Sequence, residues 1–280
     1  MSVQQMCAAA GISRAGYYRF LDPEKPAPAD LDLRDEMQKI ALQWPCYGSR
    51  RMVRELKARG WEVNRKRIQR LMREDNLLCV IKRKFVVATT DSRHGLKVYP
   101  NRAAEMTLTG VDQLWVADIT YIRLEEEFVY LAVILDAFSR RVIGWHLGKT
   151  MDVSLTLNAL HMALGQRSVS PGLVHHSDRG VQYASHDYTQ LLKDRGIEIS
   201  MSRKANPWDN AACESFMKTL KYEEVHRTEY RNLANARASI GTFLEKIYNQ
   251  KRLHSSLNYR SPVEFENSLS MNSSHQQVAV

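Results

Sequence analysis

The chain has 280 residues, 44% hydrophobic and 25% charged, the balance of a soluble globular protein long enough for two domains or for one with an extension. Its longest unbroken apolar run, Phe128 to Leu135, suits a buried strand and is far too short to span a bilayer, so no membrane partner is expected. The N-terminus lacks a basic start followed by an apolar stretch, and the scattered Cys7, Cys46, Cys79 and Cys213 form no zinc or disulfide framework, which together fit a reducing cytoplasm.

The net charge of +9 is unevenly spread: residues 1–100 hold 20 Lys and Arg against 11 acids, whereas residues 101–280 hold 20 against 20. A basic third joined to a neutral remainder suits a polyanion-binding module attached to something else, although a solvated helical region without a ligand would have the same composition.

Val3 to Ala10 reads as a short helix, Gly11-Ile12-Ser13 as a turn, and Ser13 as the cap of a second helix through Phe20, the outline of a helix-turn-helix. Asp22-Pro-Glu-Lys-Pro-Ala-Pro-Ala reads as a linker, because its prolines forbid a helix interior. A helix from about Asp30 to Gln43 follows, then one over Ser49–Arg59, a break at Gly60, and another capped by Asn64 and running through Glu74. On that last helix Ile68, Leu71 and Met72 share one face, while Lys66, Gln69, Arg70 and Arg73 share the opposite one. A recognition helix in a DNA groove needs this split, and a merely solvated helix can also show it.

From Leu114 the periodicity changes. Leu114–Arg123, Phe128–Asp136 and Arg140–Leu147 are apolar, aromatic and β-branched with short connections, which predicts three antiparallel strands. A helix (Val153–Arg167), a strand (Leu173–His176), a helix (Ser185–Asp194) and a strand (Ile197–Met201) follow, and Asn206-Pro-Trp-Asp-Asn210 reads as a turn capping one more helix. The order implies an α/β fold with a mixed sheet and flanking helices.

Asp118 falls within the first strand, Asp178 just past the fourth, and Glu214 on the last helix, where Lys218 and Lys221 share its face. Three acids on separate elements suit two divalent ions, which would activate an attacking hydroxyl and stabilise a leaving oxygen, and the two lysines would face DNA phosphate. Position alone does not select these acids, because Asp136 and Asp152 also end or follow apolar segments. His175 and His176 are further candidates as ligands, but neighbours in a strand point to opposite faces, so at least one of them should be packed or hydrogen-bonded.

Four segments carry a resemblance: Trp115-Val-Ala-Asp118-Ile-Thr-Tyr-Ile, Leu135-Asp-Ala-Phe-Ser-Arg-Arg-Val-Ile-Gly-Trp145, His176-Ser-Asp178-Arg-Gly-Val-Gln-Tyr183 and Asn206-Pro-Trp-Asp-Asn-Ala-Ala-Cys-Glu214-Ser-Phe. They resemble the catalytic core of retroviral integrases and, more closely, the transposases of bacterial insertion sequences encoded by two overlapping frames, of which this chain is similar to the second-frame product. Tyr47-Gly-Ser-Arg-Arg and Tyr248-Asn-Gln-Lys-Arg-Leu-His254 through Pro262 fit the same group, so the likeness covers nearly the whole chain.

The resemblance implies a ribonuclease-H-like core in which Asp118, Asp178 and Glu214 bind Mg2+ (with Mn2+ able to substitute) and Lys221 acts on the DNA end. It implies donor-strand cleavage to a 3′-hydroxyl and direct strand transfer, on double-stranded terminal repeats and target DNA, by a homo-multimer. Fusion to or association with the upstream-frame product is also implied, as is work at the nucleoid. No His-His-Cys-Cys module precedes the core, so no zinc is expected.

The expected division is a short helix-turn-helix segment (1–21), a linker (22–30), a basic helix-turn-helix DNA-binding region (31–100), the catalytic core (101–228) and a C-terminal helical extension and tail (229–280). Two rival readings stand beside this one: a ribonuclease-H-like nuclease that only hydrolyses, and an inactive DNA-binding regulator.

Overall fold

The structure, a computed structural model, describes residues 2–14, 17–18, 28–77, 95–203 and 210–277. The chain forms two compact units, Met1–Val80 and Ile81–Val280.

In the first unit α1 (Val3–Ala10) opens on a capping box between Ser2 and Gln5 and closes at Gly11, whose φ of 65° is the left-handed conformation that ends helices. Half of the helix expected over Ser13–Phe20 and residues 22–27 of the expected linker lie outside the described residues, whereas the last two residues of that linker, Pro28 and Ala29, are helical. Helix α2 (Pro28–Gln43) starts two residues before the expected Asp30, with Pro28 in the first helical position, where its missing N–H would be unpaired anyway. Helices α3 (Ser49–Ala58) and α4 (Arg65–Glu74) follow, the latter capped by Asn64, whose side chain accepts the Lys66 N–H at 2.8 Å.

Leu33, Met37 and Ile40 of α2 are fully buried with Met52 and Leu56 of α3 and Ile68 and Leu71 of α4, each set at helical spacing. Ion pairs reinforce this core: Arg34 reaches Glu74 and Asp75, Arg67 reaches Asp30, and Arg59 reaches Glu36 at 2.7 Å.

The second unit is built on a five-stranded sheet in the order β3-β2-β1-β4-β5. Strands β1 (Leu114–Arg123), β2 (Phe128–Asp136) and β3 (Val142–Gly148) are antiparallel, while β4 (Val174–Ser177) and β5 (Glu198–Met201) run parallel to β1. β3 starts two residues later than expected because Arg140 takes a positive φ of 63° in the turn. Asp136 braces that turn, accepting the N–H groups of Asp112, Phe138 and Ser139 at 2.6, 3.0 and 2.7 Å.

Helix α5 (Val153–Gln166) links β3 to β4, and a short α6 (Val181–Ala184) that the sequence did not signal precedes α7 (His186–Asp194). After β5 come α8 (Ala211–Leu220), a π-helical turn over Lys221–Val225, α9 (Leu233–Thr242), a second π-helical stretch over Phe243–Tyr248, and α10 (Pro262–Gln277).

Both sheet faces are covered. Val116, Ile122, Leu131 and Val133 pack with Phe216 and Leu220 of α8 and Ile240 of α9, whereas Trp115, Ala117, Ala132 and Ile134 pack with α5 and α7. Gly144 permits α5 to lie on β3, since a Cβ there would stand 2.2 Å from the Ala159 carbonyl oxygen. Among the described residues no helix is long and apolar enough to cross a membrane.

Helix α10 is fastened by charge. Glu266 accepts from Ser139 Oγ at 2.7 Å, from Arg141 at 2.5 Å and from Arg167. Burial works against its charge, but these hydrogen bonds outweigh burial and hold the carboxyl below its ordinary value. The stabilisation is therefore complete above the unfolded-state pKa near 4.5 and is lost as pH falls through the lower folded-state value. Glu266→Gln should cost about 3 kcal/mol in denaturant unfolding at neutral pH, the scale for removing one partner of a buried ion pair. The gap to the wild type should close on acidification below the ordinary glutamate range.

Candidate active site

Asp118 stands on β1 in phase with Val116 and Ile122, and therefore on the sheet face covered by α8. The parallel pairing of β1 with β4 sets Leu114 beside Val174, Trp115 beside His175 and Val116 beside His176. The same register carried two residues further brings Asp178, just past the end of β4, alongside Asp118. Burial and the Asp178 carboxylate push the Asp118 carboxyl up to about 7, with the Ile119 N–H opposing, Glu214 adding to the rise and Lys221 opposing. Asp178 Oδ1 accepts the Gly180 N–H at 2.9 Å, and a Cβ on Gly180 would lie 3.0 Å from that oxygen.

Glu214 comes from α8. Of the turn expected to cap this helix, residues 206–209 lie outside the described residues, and Asn210 at the N-cap position makes no cap hydrogen bond. Its side-chain amide donates instead to the Ala117 carbonyl at 3.1 Å, one residue before Asp118. That bond ties the start of α8 to the strand that carries the first acid. Glu214 and Lys218 are exposed, while Lys221 is half-buried with its ammonium 4.6 Å from the centre of the Tyr121 ring. Burial lowers the Lys221 pKa and Asp118 opposes that shift. Behind the acids lie the buried Cys213 and Tyr183, both pushed well up in pKa by burial, and both feel the charges of Asp118 and Asp178.

The other candidate ligands are otherwise engaged. Asp136 holds the β2–β3 turn, and Asp152 is the exposed N-cap of α5, accepting the Leu155 N–H at 3.2 Å. His175 Nε2 lies 3.0 Å from the Tyr188 hydroxyl, and His176 Nδ1 lies 2.8 Å from Ser200 Oγ. Both histidines are thus hydrogen-bonded, where the sequence required this of only one. Among the described residues no three His, Cys, Asp or Glu side chains are gathered tightly enough to hold a metal ion by themselves. The donor set nevertheless suits magnesium, which takes hard oxygen ligands, retains several waters and shares substrate phosphate, so that a neighbouring carboxylate pair and one exposed acid suffice.

The basic candidates lie in the first unit. On α4 Ile68, Leu71 and Met72 are buried, Gln69 is half-buried, and Lys66, Arg70 and Arg73 are exposed. Arg70 lies 3.8 Å from Glu74.

The family described as an integrase core domain matches residues 109–207, a second integrase core domain family matches residues 195–262, and an HTH-like domain matches residues 28–85. The chain is 40% identical over 267 residues to the insertion element IS600 uncharacterized 31 kDa protein of Shigella sonnei, covering 93% of this chain and 97% of that one. It is 34% identical over 272 residues to the transposase InsF for insertion sequence IS3A of Escherichia coli (strain K12), covering 95% and 94%. The chain belongs to the insertion-sequence transposases. The transposase also has a structural likeness to the catalytic core domain of BIV integrase, at 19% identity and a TM-score of 0.41 over 60% of this chain and 99% of that one.

Three residues around the candidate site escaped sequence reading: Asn210 as the tether of α8, Tyr121 as the platform under Lys221, and Gly180 as the close neighbour of Asp178. The first two act across the fold, so no local pattern reports them. Gly180 had a local signal, a glycine two residues after a strand-end acid.

Asn210→Ala should remove the bond to the Ala117 carbonyl and cost about 1–2 kcal/mol of stability. Strand joining by the variant should fall further than that loss explains, measured at a temperature where both proteins are fully folded. A variant that joins DNA as well as the wild type would show that the tether does not position Glu214.

Proposed function

We propose that this transposase cuts a donor strand at the element end and joins the freed 3′-hydroxyl directly to target DNA, using Asp118, Asp178 and Glu214 as its catalytic acids. The observation that carries the reading is the β1–β4 register, which sets Asp118 beside Asp178 under the helix that bears Glu214. The three acids would hold Mg2+, with Mn2+ able to replace it. When bound, such ions supply activation of the attacking hydroxyl and stabilisation of the leaving oxygen.

The chain's own groups do the rest. Lys221 and Lys218 neutralise phosphates of the DNA end, and the ring of Tyr121 holds the Lys221 ammonium in place. Cys213 and Tyr183 keep the inner wall of the site neutral, which strengthens every charge interaction there. In cleavage the water oxygen bonds to phosphorus, the P–O3′ bond breaks, and the 3′ oxygen departs with a proton. In joining that 3′-hydroxyl attacks a target phosphorus and displaces another 3′ oxygen. One phosphodiester is exchanged for another, so no energy-carrying cofactor is required.

The basic region over residues 31–100 finds the DNA through Lys66, Gln69, Arg70 and Arg73 of α4. Pairing two element ends calls for a homo-multimer, and the upstream-frame product, fused or associated, would complete end recognition. Such a protein would work in the cytoplasm at the nucleoid.

Asp118→Asn, Asp178→Asn or Glu214→Gln should each lower Mg2+-dependent cleavage and joining by more than about 10²-fold, because losing even a residue that only hydrogen-bonds to a metal ligand costs about 10- to 100-fold. Binding of duplex DNA should persist in all three. Full activity of any one variant would remove that acid from the site. Nicked products without joined ones on a denaturing gel would favour the nuclease, and no activity in the wild type would favour the regulator.

The double substitution Arg70→Ala with Arg73→Ala should weaken duplex binding at every sequence. It should also reduce the slope of log affinity against log salt by about 2, near 0.9 per phosphate contact. An unchanged slope would return α4 to an ordinary solvated helix.

A further inference from the structure

A groove of about 900 Å3 has Lys221 and Tyr121 in its lining. One wall is the β1–β2 hairpin, with Tyr121, Arg123 and Phe128, and the other is the chain leaving α8, with Lys221, Arg227 and Arg231. Its walls are fixed to each other. The Glu125 N–H donates to the Tyr230 carbonyl at 3.1 Å, the Tyr230 hydroxyl donates to Glu224 at 3.0 Å, and Ser239 Oγ donates to Glu224 at 2.6 Å.

Three features define what the groove can take. Four cations line it against two acids, Glu125 and Glu229. Phe128 is 47% exposed although it opens a sheet strand, and its ring meets Tyr121 edge-on at 5.9 Å, with the Arg123 guanidinium 5.9 Å over it. The groove also adjoins the candidate active site, because Tyr121 stands three residues after Asp118 on β1 and Lys221, 4.6 Å from its ring centre, follows the helix that carries Glu214. Cations alternating with exposed rings are the means by which proteins hold unpaired nucleotides, with phosphates on the charges and bases stacked on the aromatics. A volume of about 900 Å3 has room for unpaired bases.

We propose that this groove binds an unpaired stretch of the DNA strand adjoining the phosphate held at the acids, with Phe128 and Tyr121 as its stacking platform and Arg231 as its far phosphate contact. The inference rests on the catalytic reading above, since that reading supplies the strand.

The test uses the full chain and two fluorescein-labelled probes of equal duplex length carrying the element's terminal repeat. One probe is blunt and the other ends in a ten-nucleotide oligothymidine overhang. The wild type should bind the overhang probe roughly ten-fold tighter or more, the scale of stacking one base. Phe128→Ala with Arg231→Ala should erase that preference while leaving the melting temperature, blunt-probe affinity and blunt-end joining unchanged, and Phe128→Trp should keep it.

Equal wild-type affinity for the two probes would overturn the proposal, and so would a preference that survives the double substitution. A change in oligomeric state with the preference intact would assign the groove to a second copy of the chain and overturn it as well. Blunt-end joining in Mg2+ reads the catalytic site separately. A wild type that joins blunt ends without preferring the overhang sinks only the groove, and one that joins nothing sinks the catalytic reading.

Discussion

The parallel pairing of β1 with β4 is the constraint on which the rest of the site depends. It joins strands that are some 60 residues apart in sequence, Val116 beside His176, and so makes neighbours of two acids that no local pattern relates. A slip of one residue would turn the strand's side chains to the opposite face and part Asp118 from its partner. Burial guards against that slip. Trp115 and Ala117 are fully buried on one face, Ile122 fully and Val116 nearly so on the other, and each set fits only its own layer of helices.

Helix α8 is held to this pair by two kinds of force. Phe216 and Leu220 bury its underside against β1 and β2, which fixes its height above the sheet but leaves sliding along it less constrained. The Asn210 bond to the Ala117 carbonyl is directional and supplies the missing coordinate. Glu214 stands four residues after that bond on the outward side of the same helix. Its exposure follows, because the positions that alternate with it in the helical period are spent on packing.

The strands, the amphipathic α4 and the cap at Asn64 were legible because each rests on contacts within a few residues, repeated at the period of its own element. The choice among Asp118, Asp136, Asp152 and Asp178 was not legible from position, since all four follow or interrupt apolar segments. What separates them is hydrogen bonding: Asp136 is enclosed by three backbone N–H groups and Asp152 caps a helix. The motif resemblance, which integrates many positions at once, selected the pair that the register brings together. The change from α to π geometry at Lys221 and the fastening of Glu266 to Arg141 and Arg167 also depend on partners far along the chain, and local propensity reports neither.

Glu266 and Asp118 show how differently one fold can treat a buried acid. At Glu266 the cost of burial is met inside the protein, by a hydroxyl and two guanidinium groups, and the carboxyl stays below its ordinary pKa. At Asp118 the surroundings act the other way: burial first, then the Asp178 carboxylate beside it and Glu214 beyond outweigh the Ile119 N–H and Lys221, so the pKa rises to about 7. Lys221 is the nearby cation, and its ammonium also rests on Tyr121. An arrangement that gathers negative charge without balancing it costs folding stability and is retained where something positive binds in the working state. In the reading proposed above, divalent ions would meet that need for the three acids, and Lys218 and Lys221 would draw the DNA end towards them.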